Sequence, residues 1–257
     1  MKAVILAGGL GTRLAEETDR IPKPMVAVGG HPILWHIMKI YEQAGICDFI
    51  VCAGYKVQVI VEYFVNYRLH NSSVTVNLKD GSVNCLDNPR EDWKVTIVNT
   101  GDTTMTGGRL KRIQHLLEDG EPFCMTYGDG VISADIAASI AFHKKHGRKA
   151  TMTAVHNPAR FGAAEIDGDR VARFVEKPLG AEGRVNGGYF VLEKQALDLI
   201  AADETSWEKE PMEALAAQGE LMAWQHDGFW QPMDTLRDRR LLEDLWAENR
   251  APWKSWK

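Results

Sequence analysis

The residues with chemical potential in this chain fall in a few short motifs. The opening run MKAVILAGGLGTRL ends an apolar strand in Gly8, Gly9 and Gly11, followed by Thr12 and Arg13. Glycines after a strand let the backbone turn sharply and bring several amide N–H groups to one anion, so a phosphate cradle is one reading of this loop. A plain glycine turn is the other. Further on, Lys23 stands between Pro22 and Pro24, which deny it a helical setting. Two cations thus bracket one loop, and an arginine fork can hold two phosphate oxygens at once. Asp129 lies in TYGDG between glycines that leave it approachable, although Asp-Gly is also a common turn. Asp234 precedes an apolar pattern of Leu236, Leu241, Leu245 and Trp246, where the sequence alone favours an N-cap. Thr106-Gly107-Gly108-Arg109 opens a helix, and amides there could meet a base or a phosphate.

Familiar nucleotide templates do not fit. A P-loop closes on Gly-Lys-Ser/Thr, whereas Gly11 is followed by Thr12 and Arg13. A dinucleotide fingerprint beginning at Gly9 fails at Leu14, and the second strand ends in VCAGYK with no carboxylate for a ribose. No Ser/His/Asp set has persuasive spacing, and His31 and His36 read as structural or surface residues. Cys47, Cys52, Cys85 and Cys124 show no CxxC spacing and read as free thiols in a reducing cytoplasm. The 257 residues are 45% hydrophobic and 25% charged, which is packed globular usage. A net charge of −5, with no basic block longer than residues 109–112, argues against a nucleic-acid partner and leaves room for a small anionic ligand. The sequence predicts neither a secretory leader nor a membrane span.

The elements that must position these residues follow from periodicity. Strands are predicted at residues 2–6, 48–52, 122–126 and 150–155. Helical patterns cover residues 32–43, 57–64, 110–117 and 136–146, with β-rich pieces at 74–78 and 94–98. Shorter strands follow at 163–166, 171–175 and 188–192, then helices, the last at 235–248. Strand alternating with helix implies right-handed crossovers and a mainly parallel sheet, a Rossmann-like α/β fold with a β-rich elaboration. Ligands in such sheets sit beyond the carboxyl ends of the strands, where residues 8–13, 53–56 and 127–130 would gather. No linker or repeat divides the chain, so one continuous domain is expected.

GGLGTRL followed by PKPMV resembles the sugar-1-phosphate nucleotidylyltransferases. The likeness runs end to end through ILWHIMKIYEQAGI, TGGRLKR, TYGDG, FVEKP, NGGYFV and GFWQPMDTLRD; TYGDG with GFWQPMDT points to the cytidylyl branch. The resemblance implies the nucleotide-diphospho-sugar transferase fold, with a nucleotide-binding part at about 1–155 and a sugar-binding and C-terminal part at about 156–257. It implies that Leu6, Ala7, Gly8, Gly9, Leu10, Gly11, Thr12 and Arg13 wrap the triphosphate with Lys23. Thr104, Arg109 and Gly128 are further nucleotide contacts, Asp129 and Asp234 hold Mg2+, and Glu176, Lys177 and Asn186 hold the sugar phosphate. The implied reaction joins CTP and α-D-glucose 1-phosphate into CDP-glucose and pyrophosphate, in a cytoplasmic homo-oligomer, a hexamer by family pattern, with no nucleic-acid or membrane partner. The same chemistry with UTP or dTTP is an alternative. So is an inactive regulatory protein of the same fold, which would be expected to lack one of Arg13, Lys23, Asp129 and Asp234. Two departures stand out. Ile21 occupies a position where the family often has a second lysine, and residues 77–92 look divergent, which puts oligomer contacts there in doubt. Trp224 and Trp230 read as core residues.

Overall fold

The computed structural model describes residues 1–9, 11, 14, 18, 19, 21–88, 91–156, 163–167, 170–175 and 183–256. Strand β1 (Ala3–Ala7) is wholly buried and alternates between two cores. Ala3, Ile5 and Ala7 face one, and Val4 and Leu6 the other. A strand covered on both faces needs apolar residues at every position, which is why AVILA carries no polar alternation.

Beside β1 run β2 (Asp48–Ala53), then β3 (Lys94–Asn99), and on its other flank β4 (Phe123–Tyr127), all parallel. The sheet continues through β5 (Ala150–His156), β6 (Arg184–Leu192) and β7 (Leu221–His226), giving the order β7-β5-β6-β4-β1-β2-β3. β6 is the antiparallel member, inserted between β4 and β5. The chain winds outward from β1 to β3 and then returns to the far side of β1, so β1 and β4 flank a topological switch point.

Helices α1 (Ile33–Glu42), α2 (Val57–Val65), α3 (Thr106–Ile113) and α4 (Ile136–His146) make the crossovers, followed by α5 (Glu210–Ala217) and α6 (Leu236–Ala247). α1 and α6 help bury one face of the sheet; α3, Trp207 and Leu215 of α5 bury the other.

α3 begins at Thr106, where the sequence opens a helix ahead of the apolar period at 110, and so includes Gly107 and Gly108, poor helix formers. Tertiary contact explains them: a Cβ on Gly108 would lie 2.4 Å from Asp203 O, and one on Gly107 2.6 Å from Thr205 O. The strand β7 lies where helices were expected, because LMAWQH pairs in parallel along the outer edge of β5 and keeps only a half-buried face. Hairpins are formed by Val74–Val76 with Val83–Cys85, and by Ala163–Asp167 with Arg170–Val175. All four cysteines are free, and burial pushes the thiols of Cys52 and Cys124 up to about 12.

Trp207 is fully buried, edge-on to Phe190 on the α3 side of the sheet. Trp207→Ala should cost about 3–5 kcal/mol through lost burial and a residual cavity. Urea unfolding measures this, and a loss under about 1 kcal/mol would contradict the assignment of Trp207 to the main core.

Candidate active site

A cavity of about 920 Å³ opens at the carboxyl ends of β1 and β4. Its walls are the glycine loop after β1, residues 102–106 with Arg109, the loop after β4 through Gly130, and residues 186–189 of β6; Lys23, Trp230 and Asp234 complete it.

Three charged groups meet there from distant parts of the chain. Lys23 starts the 3-10 turn Lys23–Met25, held by the flanking prolines, and is 7% exposed. Its Nζ donates to Asp129 Oδ2 at 2.5 Å and to Asp234 Oδ1 at 2.8 Å. Asp129 follows β4. A two-stranded ladder, Gly130–Ile132 against Trp230–Pro232, pairs Gly130 with Pro232, and Met233 N donates to Asp129 O at 2.7 Å. That ladder delivers Asp234 to Asp129.

The N-cap expected of Asp234 belongs instead to Thr235. Thr235 Oγ1 accepts from Asp238 N and Asp238 Oδ2 accepts from Thr235 N, a reciprocal capping box at the start of α6. With the helix capped by its neighbour, the Asp234 carboxylate faces the cavity.

A second polar centre underlies the glycine loop. Arg109, 4% exposed, reaches from α3 to the ends of three strands. Nη1 donates to Ala53 O, Thr100 Oγ1 and Gly101 O, and Nη2 to Gly8 O and Asp102 O. A Cβ on Gly8 would lie 1.9 Å from Nη1, so this glycine is required by the guanidinium packed on it. Nothing lies within 4 Å of the corresponding position on Gly9, which is open to a ligand. At the start of α3, Met105 N and Gly108 N donate to Asp203 O and Thr205 O. These two amides therefore serve the protein's own loop, where a ligand role was expected.

Of the residues singled out in the sequence, Leu6, Ala7, Gly8, Gly9, Gly11, Lys23, Thr104, Arg109, Gly128, Asp129, Asn186 and Asp234 all line the cavity. Leu10, Thr12, Arg13, Glu176 and Lys177 lie outside the described residues. Sequence reasoning missed Tyr127 and assigned Trp230 to the core. Trp230 is half-buried, lines the cavity and donates from Nε1 to Gly187 O at 2.8 Å. Tyr127 lines it as well, and its position in TYGDG immediately before Gly128-Asp129 was the available signal.

The chain matches the nucleotidyl transferase family model over residues 2–231. It is 58% identical over 256 residues to a glucose-1-phosphate cytidylyltransferase of Salmonella typhi, covering 100% of both chains. It is 40% identical over 257 residues to a probable glucose-1-phosphate cytidylyltransferase of Bacillus subtilis, again covering 100% of both. Among solved structures, HddC from Yersinia pseudotuberculosis superposes with a TM-score of 0.69 at 25% identity, covering 95% of this chain and 99% of that one. The glycine loop, the buried lysine and the paired carboxylates thus stand in the frame of a known enzyme class, and this chain belongs to the nucleotidyl transferase family.

Proposed function

We infer that this chain is a glucose-1-phosphate cytidylyltransferase, which transfers the cytidylyl group of CTP to α-D-glucose 1-phosphate and gives CDP-glucose and pyrophosphate. The observation that carries the reading is the convergence of Lys23, Asp129 and Asp234 in a cavity at the β1/β4 switch point, in a chain 58% identical to the Salmonella enzyme over its whole length.

The sugar phosphate is already ionised at neutral pH, so one of its oxygens attacks the α-phosphorus without a general base. The new oxygen–phosphorus bond forms as the bond to the bridging oxygen of pyrophosphate breaks. Catalysis is then a matter of alignment and charge neutralisation. Two carboxylates that approach one ammonium nitrogen at 2.5 and 2.8 Å can equally approach one cation, and hard oxygen donors suit Mg2+. Asp129 and Asp234 would hold this divalent ion. When bound, it neutralises charge on the triphosphate and the departing pyrophosphate.

Lys23 then turns its ammonium to phosphate oxygens, joined by Arg13. Leu6, Ala7, Gly8, Gly9, Leu10, Gly11, Thr12, Thr104 and Gly128 form the nucleotide wall in this reading. Arg109 serves that wall by fixing the carbonyls of residues 8, 53 and 101. Glu176, Lys177 and Asn186 hold the sugar phosphate.

The chain works as one unit in this proposal, since the seven-stranded sheet includes strands from both the nucleotide part and the sugar part. Self-association belongs to the same reading. The hairpin at 74–85 exposes Val74, Val76, Leu78 and Val83, more apolar surface than a solvated ribbon needs. Among the described residues no helix is long and apolar enough to cross a membrane. The reaction itself implies the cytoplasm, where triphosphates and sugar phosphates meet.

Pyrophosphate release from glucose 1-phosphate should be at least about tenfold more efficient with CTP than with UTP or dTTP, because a site built to pair the cytosine 4-amino group leaves a buried acceptor unpaired with a 4-oxo base. Equal efficiency with UTP would move the assignment to a uridylyl enzyme.

Lys23→Met should lower turnover by more than about tenfold, over about 1.4 kcal/mol of barrier. It also removes an ammonium shared by two carboxylates, so millimolar Mg2+ should raise the melting temperature of this variant more than that of the wild type. An equal response would mean that metal and lysine do not share the carboxylates.

The capping box separates two neighbours. Thr235→Ala should cost about 1 kcal/mol of stability with turnover retained, while Asp234→Asn should keep stability and lose turnover. Kinetics and unfolding curves of the two variants check this, and a fully active Asp234→Asn would remove that residue from the metal site.

A further inference from the structure

On the rim of the cavity, Glu208 links two walls that the sheet does not join. Its Oε1 accepts from Tyr127 Oη at 2.5 Å, and its Oε2 accepts from Thr106 Oγ1 at 2.6 Å and from Ser206 Oγ at 2.9 Å. Thr106 opens α3 beside Thr104 and Met105 of the nucleotide wall, and its Oγ1 also accepts from Trp207 N. Tyr127 closes β4 directly before Gly128 and Asp129. Its hydroxyl, pushed well above the usual tyrosine range by burial and by the Glu208 carboxylate, keeps its proton, and its ring packs on Gly188 of β6, where a Cβ would lie 2.6 Å from Tyr127 Cδ2. Asn186 Oδ1 in turn accepts from Gly188 N at 2.8 Å. One carboxylate is therefore bonded to the start of the nucleotide wall and to a tyrosine packed on Gly188, whose amide holds the side chain of Asn186, a residue proposed for the sugar.

Hydrogen bonds to an ionised acceptor are about twice as strong as neutral ones, and two of the three at Glu208 cross between elements distant in sequence. The separations are 81 and 102 positions. In a reaction that depends on bringing two bound phosphates into line, the spacing of the two walls governs rate, and a misplacement of about 1 Å can cost about 100-fold.

We propose that Glu208 is a positioning residue that clasps Tyr127 to Thr106 and so sets the register between the nucleotide and the sugar phosphate. Glu208 lies outside the residues that line the cavity and acts through Tyr127 and Thr106, which do line it. The proposal rests on the nucleotidyl-transfer reading of the site, and it adds to that reading a residue that binds the two half-sites to each other.

The test compares wild type, Glu208→Ala, Glu208→Gln, Tyr127→Phe and the double variant Tyr127→Phe/Glu208→Ala, using whichever triphosphate the wild type turns over. Wild-type turnover reports on the functional reading; ratios to wild type report on the clasp. Because Glu208 is exposed on the rim, Glu208→Ala should keep its melting temperature within about 3 °C, a small loss for a domain of this size. It should lower kcat/KM for both substrates by about tenfold. Glu208→Gln retains one acceptor and gains a donor for Thr106 Oγ1, so it should recover part of that loss. Tyr127→Phe should lose a similar factor, and the double variant should be little worse than either single one, since both break one link. Kinetics within twofold of wild type in Glu208→Ala, or losses that multiply in the double variant, would overturn the clasp. A fall in melting temperature with kcat and KM unchanged would do the same, by reducing Glu208 to a structural rim contact.

Discussion

The rest of the site depends on one arrangement: a buried lysine shared by two carboxylates. Lys23 and Asp129 are 106 positions apart, and Lys23 and Asp234 are 211 apart, so local structure cannot bring them together. A charge taken out of water costs several kcal/mol unless it is paired and hydrogen-bonded, and breaking such a pair costs more than forming it gains. The fold must therefore satisfy three conditions together. The proline-bound turn has to seat Lys23 beneath the strand ends, β4 has to end beside β1, and the Gly130–Ile132 ladder has to carry the segment before α6 back across the molecule. The capping box at Thr235 completes the set, because it satisfies the helix terminus without using Asp234.

Arg109 imposes a matching constraint on the other side of the glycine loop. Five acceptors around one guanidinium are an unusual investment for a group that only borders a ligand. The carbonyls it holds are those at or just beyond the ends of β1, β2 and β3, where the regular ladder stops and a buried carbonyl has lone pairs still to satisfy. Burial lowers the pKa of Arg109, yet a guanidinium stays protonated in proteins, so the charge persists. The effect is a rigid positive foundation under Gly8, with Gly9 open above it. Pre-set positive charge near a triphosphate needs no reorganisation when the ligand arrives, which is the physical advantage of such a platform.

Much of this was legible in the sequence, for identifiable reasons. Strands β1, β2, β4 and β5 are short apolar runs with turn residues after them, and buried parallel strands leave that mark. α4 runs from Ile136 to His146 as predicted, because Asp135 caps it, accepting from Ala138 N, and Gly147 ends it in a left-handed conformation. What stayed hidden depended on tertiary partners. β7 is an edge strand whose half-exposed residues lack a buried strand's signature. The start of α3 at Thr106 could be read, but not why it takes two glycines, since only the backbone at 203–205 packed on Gly107 and Gly108 requires them. Arg109 and Gly8 are 101 positions apart, so no spacing rule could reveal the guanidinium packed on the glycine. The contact of Tyr127 with Glu208, across 81 positions, was hidden for the same reason. Motif likeness supplied roles for Asp129, Asp234 and Asn186 that turn and cap chemistry alone would have assigned to loops. For Arg13, Glu176 and Lys177 the sequence is still the whole argument, since they lie outside the described residues.

The histidines complete the contrast between a site that moves protons and one that holds charge. His36 is fully buried, its Nε2 lies 2.8 Å from Val28 O and its Nδ1 3.3 Å from Trp253 Nε1. The indole N–H can only donate, so Nδ1 is the acceptor and Nε2 carries the proton toward Val28. Burial pulls His36 down to about 4, and it lowers His31, His143, His146 and His226 from their ordinary value as well. A lowered folded-state pKa keeps imidazole neutral near pH 7, so protonation of these groups on acidification opposes the fold and leaves the cavity's charge balance alone. None of them lines the cavity. Its polar chemistry is carried by lysine, aspartates, amides and hydroxyls, which suits a nucleophile that arrives already ionised and asks the protein for geometry and countercharge.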